Sequence, residues 1–349
     1  MGSIDLQPVL SNPSMRMPTA EAVVHVSGFS YLNNRDRLLD DLLDARHAAV
    51  ALESSVRRLE YFPGDESELI DLLRGMDGKA TTAQAGIGLV LATHWQDNRY
   101  TLTAAARTRF AGTFEYVASD EPKLRLAPVV AFIELAKLES RVRVSGYGVA
   151  EVALHRRMDE IVLPATRITL SVKHQEYSLY ERDVPIQDYR ESDLFKLGDY
   201  SRRFSRPNLS VASVTDVGDW RLGLAIENLV PDTLRGLQST AYRIRPQATV
   251  QIGYQLMWGS ANLYQDLNSQ PAFGQVSERR ETALKFDMPL GKRFVIGAGY
   301  QYVAKGRDDD AFSLSLSYRL PDSFYLGVSA TAASRHEFGG AFRIQLPLF

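Results

Sequence analysis

The chain contains no cysteine. That excludes a disulfide framework and a thiolate metal site, and it suits a protein exported through an oxidising compartment. Long apolar runs are missing as well. The best stretch, Leu126 to Ala136, is broken by Glu134 and falls short of the roughly 18 uninterrupted apolar residues that a membrane helix needs, which excludes an inner-membrane helical protein. A basic excess is also absent. Forty Lys and Arg stand against 42 Asp and Glu, so the net charge of -2 lacks the cationic surplus that dominates nucleic-acid binding, and no nucleic acid is expected as a partner. No G-x-S-x-G, G-x-x-x-x-G-K-[ST] or H-E-x-x-H pattern occurs. The six histidines, His25, His47, His94, His155, His174 and His336, lie far apart. Gly86, Gly88, Gly297 and Gly299 are too widely separated to build a strand-helix phosphate loop, and strand glycines that relieve crowding explain them. No catalytic residue, cofactor or metal is expected.

What the chain does have is alternation. In Ala241 to Met257, AYRIRPQATVQIGYQLM, one series holds Tyr242, Ile244, Ala248, Val250, Ile252, Tyr254 and Leu256, and the other holds Arg243, Arg245, Thr249, Gln251 and Gln255. A strand sends successive side chains to opposite faces, so one face is apolar and the other polar. About ten tilted residues cross a bilayer core, and the sign is that of a barrel with lipid outside and water inside. Pro246 is an obstacle to one continuous central strand and is tolerable at a bulge. Sixteen Tyr, 15 Phe and 24 Gly suit strands with aromatic girdles and close packing.

The same reading extends along the chain. Strands are expected at 20–31, 85–95, 99–117, 141–158, 165–180, 208–217, 220–229, 241–257 and 260–267, then at 280–290, 293–304, 311–320, 323–332 and 338–349. The fold class is therefore all-β with a few helices: a closed antiparallel transmembrane β-barrel of about fourteen strands, one domain over 1–349. Residues 34–76 interrupt it. Leu38, Leu39, Leu42, Leu43, Val50, Val56 and Leu59 recur at helical spacing after Asn34, a plausible N-cap, and a second helix over Glu66 to Arg74 ends at Gly75. This helical insertion either plugs the lumen or sits at one mouth, in the periplasm in the simplest case. A third helix is expected within Pro122 to Ser140, and Glu181 to Arg206 reads as an external or pore-constricting loop. A barrel must be exported, yet residues 1–22 show no charged n-region followed by an apolar h-region, so the expectation is that the signal peptide is missing from this chain. The chain ends on Phe349, out of phase with Phe342, Ile344, Leu346 and Leu348.

Several stretches carry a resemblance: Asn12 and Pro13 in SNPS, the helical LLDDLLDARHA, GKATTAQAGIGLVLA, RVRVSGYGVAEVAL, WRLGLAIENLVP and YRIRPQATVQIGY. In this order they resemble the conjugal-transfer TraF-type family of outer-membrane barrels, relatives of the long-chain fatty-acid transporter (FadL-like) barrels. The resemblance covers nearly the whole chain. It implies the cell outer membrane of a Gram-negative envelope and a role in envelope transport or in assembling a transfer apparatus. It also implies as partners outer-membrane lipid, the barrel-assembly machinery, and periplasmic or transfer-apparatus proteins. A FadL-like channel for hydrophobic small molecules is the alternative.

Arg243, Arg245, Gln251, Arg293 and Arg319 fall on the polar series and are the candidates for lining the lumen, with Arg343 beside them. They either form an anion-attracting ladder or pair with inward acids such as Glu281 and Asp287. Asp308, Asp309 and Asp310 either bind calcium at a mouth or form a solvated hairpin turn. A hydrolase at the barrel rim would need a nucleophile and base, for which Ser329 and His336 are the nearest pair. A soluble sandwich would show the same alternation with its apolar face buried.

Overall fold

A computed structural model describes residues 23–58, 60, 62, 64–92, 100–125, 138–159, 165–188, 200–305, 310–319 and 324–347. The chain opens with β1 (Val23–Asn33), followed by helices α1 (Leu38–Arg57) and α2 (Ser67–Met76). Four long strands come next: β2 (Ala80–Ala92), β3 (Tyr100–Glu115), β4 (Arg141–Asp159) and β5 (Thr166–Pro185), with the short helix α3 (Asp120–Leu124) between β3 and β4. Then come β6 (Ser201–Val217), β7 (Trp220–Glu227) and two short strands, β8 (Asp232–Arg235) and β9 (Ala241–Ile244). The rest is strand and turn: β10 (Gln247–Leu256), β11 (Gly259–Asp266), β12 (Arg280–Leu290), β13 (Phe294–Lys305), β14 (Ala311–Arg319), β15 (Tyr325–Ser334) and β16 (Glu337–Pro347). Fourteen of these strands, all but β8 and β9, close into an antiparallel barrel. β1 seals it by pairing with β2 on one side and β16 on the other, with Gly28 opposite both Ile87 and Phe342.

Alternation sets the faces. Leu154, Val172, Leu224, Ile252, Leu316 and Val328 point outward and are exposed, while their sequence neighbours Ala153, Lys173, Ala225, Gln251 and Ser317 point inward and are buried. Cross-strand aromatic pairs rim both ends of the apolar band. Trp220–Tyr254 (4.6 Å between centroids) and Phe294–Tyr318 (4.9 Å) lie at one end, and Tyr300–Phe312 (5.0 Å) at the other. On β13, Phe294 to Tyr302 spans about 20 Å along the barrel axis at ~3.3 Å per residue and a tilt of about 40°, close to a membrane band. The two ends differ. Gly218–Asp219 and Met257–Trp258 are tight turns at one, whereas the connections 34–79, 116–140, 228–246 and 267–279 all emerge at the other, the long-loop end.

Two expected boundaries are corrected. Ala241 to Met257 is two strands rather than one, because the chain breaks at Arg245 and Pro246 between β9 and β10. Proline has no N–H to give to a ladder, and here its carbonyl accepts a hydrogen bond from Asn268 Nδ2 (2.5 Å). Both ends of the expected 181–206 loop are strand, since β5 runs to Pro185 and β6 begins at Ser201, and 189–199 lie outside the described residues. These extensions reach past the apolar band, where an outward polar residue such as Arg182 carries no lipid penalty, so hydropathy loses the strand.

The helical insertion is present, but it does not fill the lumen. Leu38, Leu42, Leu69, Ile70, Leu73 and Met76 are buried against Phe114, Val142, Val144, Tyr180 and Val184. Those five share the outward phase of Leu102, Val152, Leu154, Leu170 and Val172. The plug reading therefore gives way: α1 and α2 clad the outside of β3–β5 at the long-loop end, the end opposite both chain termini of the barrel. Each leucine is worth about 1.5–3 kcal/mol there. Asn34 serves the start of α1 as expected, its Oδ1 accepting the Leu39 amide (3.1 Å). α2 runs through Gly75 to Met76, and Gly78 supplies the left-handed turn (φ 72°). Of the expected third helix only α3 is seen, and 126–137 lie outside the described residues, as does Phe349.

α3 is fixed by Asp120, whose carboxylate is fully buried and accepts hydrogen bonds from the amides of Glu139 (2.8 Å) and Ser140 (2.6 Å) and from Lys123 Nζ (3.2 Å). Burial pushes its pKa up, but the hydrogen bonds from Ser140, Glu139 and Lys123 together outweigh burial and hold it below the ordinary carboxylate value. A depressed folded pKa stabilises above the unfolded value and loses that stability as pH falls through the folded one. Hydrogen exchange at the Glu139 and Ser140 amides should thus be flat from neutral pH down to about pH 4 once intrinsic rates are removed, then rise. Asp120→Asn should accelerate it at all pH values by the equivalent of about 1.5–3 kcal/mol, and equal protection in both proteins would refute the clamp.

Candidate functional site

Inward side chains of the barrel face a lumen that is unequal along its length. At the long-loop end it is filled by the β8–β9 hairpin, which pairs as Asp232–Ile244 to Arg235–Ala241 and stands apart from the barrel ladder. Leu234, Tyr242 and Ile244 of the hairpin pack with Tyr147, Val149, Tyr177 and Leu179 of the wall and with Phe273 and Val276 of the β11–β12 connection. Tyr242 is the centre of this cluster, 4.8 Å from Tyr147, 5.7 Å from Tyr177 and 6.3 Å from Phe273 by ring centroids.

Polar latches hold the hairpin and the connection to the wall. The Glu181 carboxylate accepts the Gln238 amide (2.9 Å), and Gly236 lies so close that a Cβ there would stand 2.1 Å from Glu181 Oε2. Arg206 pairs with Asp232 (2.5 Å). Arg109 donates to the Ser277 carbonyl (3.2 Å) and Thr113 to Gln275 (3.0 Å). Arg245 donates to the Ser269 carbonyl (3.1 Å) and to Glu278 (3.0 Å), which Lys305 also pairs. The Lys305 ammonium and then Arg245, against some burial, hold the Glu278 carboxyl below its ordinary pKa.

A charged belt lies below the hairpin. Lys173 Nζ sits 3.3 Å from Glu151 and 3.5 Å from Glu227, wholly buried. Gln175 donates to Glu151 (2.7 Å) and Asn228 (3.1 Å) and accepts from the Tyr177 hydroxyl (2.9 Å). His155 bridges Thr103 (2.8 Å) and Ser171 (2.6 Å). On the facing wall Glu281 is paired with Arg279 and accepts from Gln301. Nearer the short-turn end the lumen opens into a polar cavity of about 550 Å³, lined by Asp216, Arg221, Gln251, Asn262, Lys285 and Arg343 among others. Its charges are balanced locally, Arg221 by Asp216 (2.7 Å) and Lys285 by Asp287 (3.1 Å).

The residues nominated from sequence are scattered through this arrangement. Gln251 is buried in the cavity wall, donating to the Tyr264 hydroxyl (3.2 Å). Arg245 anchors the β11–β12 connection. Arg243 is exposed on the hairpin, Arg293 is exposed in the β12–β13 turn, and Arg319 is exposed at the last residue of β14, on the short-turn rim. They do not form a ladder. Ser329 faces Ala341 across the β15–β16 pair, well below His336 at the turn, so the two are not brought together. Asp310 accepts the Val303 amide (3.0 Å) and the Tyr300 hydroxyl (2.7 Å), a hairpin role; Asp308 and Asp309 lie outside the described residues. No group of three or more metal-ligating side chains occurs among the described residues. Lys173, Glu151 and Glu227 were missed by sequence reasoning, although each is a charge on the inward series of a strand whose outward series is apolar.

A closed, even-numbered antiparallel barrel with an apolar outer band, aromatic rims, a polar lumen and turns short at one end is an outer-membrane-type β-barrel. Residues 9–266 match the family described as "F plasmid transfer operon, TraF, protein", and the chain belongs to that family. No curated protein matches it. Among solved structures, the toluene transporter TbuX of Ralstonia pickettii is similar over 96% of this chain and 93% of its own, at 10% identity and a TM-score of 0.51. A TodX mutant, described as a monoaromatic hydrocarbon channel, is similar over 96% and 91% at 8% identity and 0.48, and a Rhodopseudomonas blastica porin over 94% and 99% at 10% identity and 0.33. At 10% identity the likeness to TbuX is one of fold.

The Lys173 triad makes a sharp test of the belt. Lys173→Met should leave Glu151 and Glu227 with Arg107 as their nearby cation and cost about 1–3 kcal/mol, read as a lower midpoint for loss of the compact gel form on heating. Adding Glu227→Gln, which leaves one acid for that one cation, should restore most of it. No loss in the single variant would show that Arg107, not Lys173, balances the two acids.

Proposed function

We propose that the protein is a gated outer-membrane conduit whose lumen is held shut by the β8–β9 hairpin. The observation that carries this reading is the contrast along the lumen: a packed hairpin at the long-loop end and a charge-balanced polar cavity of about 550 Å³ at the other. By the usual orientation of such barrels the long-loop end faces the exterior and the cavity faces the periplasm. Paired charges of both signs suit small polar solutes of little net charge. No catalytic step enters the proposal.

A second reading takes the apolar cluster around Tyr147, Tyr177 and Tyr242 as the collapsed path of a hydrophobic molecule, the kind of cargo named for TbuX and TodX. Work in a transfer apparatus is supported by the family description, with the exposed side of α1 and α2 as the surface available to envelope partners.

Planar-bilayer recordings separate an internal gate from a mere stuffing. The intact barrel should conduct little. Replacing 232–244 by a short Gly/Ser linker should raise conductance severalfold with the heat-modifiable fold kept, whereas replacing Asn34 to Met76 should leave conductance unchanged because those helices lie outside the pore. Unchanged conductance in a folded hairpin deletion would sink the gate.

A further inference from the structure

Beneath the helical layer the outer face of the barrel is hollowed. Cross-strand register sets small residues side by side there: Gly340 faces Ser30, Ser30 faces Ala85, Ala85 faces Thr108, Thr108 faces Gly148 and Gly148 faces Ser178. Two surface cavities lie on this floor, one of about 350 Å³ across β16, β1, β2 and β3 and one of about 550 Å³ across β3 to β6. Thr108 and Phe110 line both, so the two form one trough.

Its roof is aromatic. Phe110 and Tyr180 meet edge to face at 6.0 Å, Tyr180 and Tyr200 at 6.4 Å, and the Arg182 guanidinium lies 4.3 Å over the Tyr200 ring. Phe110, Tyr180 and Tyr200 also touch the core formed with α1 and α2, so the helices brace the roof. At the β5–β6 end the trough is edged by Glu176 and Arg203.

The floor residues share the phase of Ile87, Val152, Leu170 and Val172, which face lipid, so the trough is continuous with the lipid-facing surface and rises from it to the membrane boundary. Hydrocarbon does not leave hollows of this size empty, because unfilled apolar surface forfeits its dispersion contacts. Aromatic rings and arginine are the side chains that mark headgroup depth, and a guanidinium suits a phosphate. We infer that the trough is a lipid-binding groove that seats an acyl chain of a phosphate-bearing lipid from the leaflet at the long-loop end, with the phosphate at Arg203.

Gly148 makes the groove testable, since a Cβ there would meet Thr108 Cγ2 at 3.4 Å, an ordinary contact, and a larger side chain would project into the hollow. The full chain would be reconstituted in phosphatidylcholine nanodiscs doped with phosphatidylglycerol bearing an acyl-chain diazirine, and crosslinks mapped by mass spectrometry. Crosslinks should concentrate at Ala85, Thr108, Gly148 and Ser178 over Leu284 and Ile252 on the far wall. Filling the groove with Gly148→Leu and Ser178→Leu should lower groove crosslinks about tenfold, the equivalent of about two lost methylene contacts, with far-wall yield unchanged. Arg203→Gln should reduce only the preference for phosphatidylglycerol over an equally labelled phosphatidylcholine. Should the double variant lose heat modifiability, Ala85→Leu fills the other end of the same trough. Even labelling around the barrel, an unchanged yield in a filled variant, or crosslinks to a second copy of the chain in place of lipid would overturn the assignment.

Discussion

Everything in this molecule follows from the cost of an unpaired peptide group in hydrocarbon. Each unsatisfied N–H or C=O there costs several kcal/mol, so the strands have to close on themselves, and the β1–β16 pairing from Val23–Pro347 to Asn33–Glu337 does so along its whole length. Closure then fixes the side chains. With a period of two and no edge left free, every outward position within the bilayer meets lipid and every inward position meets the lumen, and a slip of one residue would reverse both. The lumen inherits the polar series, and because it is narrow its charges must find partners. Lys173 between Glu151 and Glu227, and Arg221 beside Asp216, are the local solutions.

The same constraint explains which parts were legible in the sequence. Membrane strands announce themselves by alternation, which is why the count, the order and the faces of Ile252, Leu316 and Gln251 could be read directly. Where the chain leaves the bilayer the signal fades, since an outward residue there answers to water or to a helix. β5 and β6 beyond Tyr180 carry Arg182, Arg202 and Arg203 and look like loop. α1 and α2 were visible as helices from their leucine spacing, but spacing says only that one face must be covered. The outward phase of Val142, Val144 and Tyr180, which covers it, is a tertiary fact.

The site was less legible than the fold. Of the residues nominated for the lumen, Gln251 faces the cavity and Arg245 ties down a connection, while Arg243, Arg293 and Arg319 are exposed on the hairpin, a turn and a rim. The phase of Arg243 and Arg245 was read by extending one alternating series through Pro246. Because that proline ends the ladder, residues before it belong to a hairpin with its own two faces, and Tyr242 and Ile244, assigned to lipid by alternation, point into the core of the lumen instead. An alternating pattern records that two faces differ. It does not record which solvent each face meets.

This double use of one pattern bears on how tightly the lumen is shut. Leu234, Tyr242 and Ile244 are each at least 95% buried in the hairpin cluster. At about 1.5–3 kcal/mol for each side chain they hold the hairpin with roughly 5–9 kcal/mol, an upper range because a displaced hairpin would still cover part of this surface. The Arg206–Asp232 pair, with both side chains about 40% exposed, adds little in water. Apolar packing therefore outweighs the ionic latches. At 1.4 kcal/mol per tenfold, the low end of that range corresponds to a displaced hairpin populated at about one part in a few thousand, and the surface still covered after displacement raises that fraction. A partner or ligand that opened the barrel would have to bind the displaced state more tightly by a comparable free energy, and the buried apolar hairpin face, once turned out, is the surface with enough area to supply it.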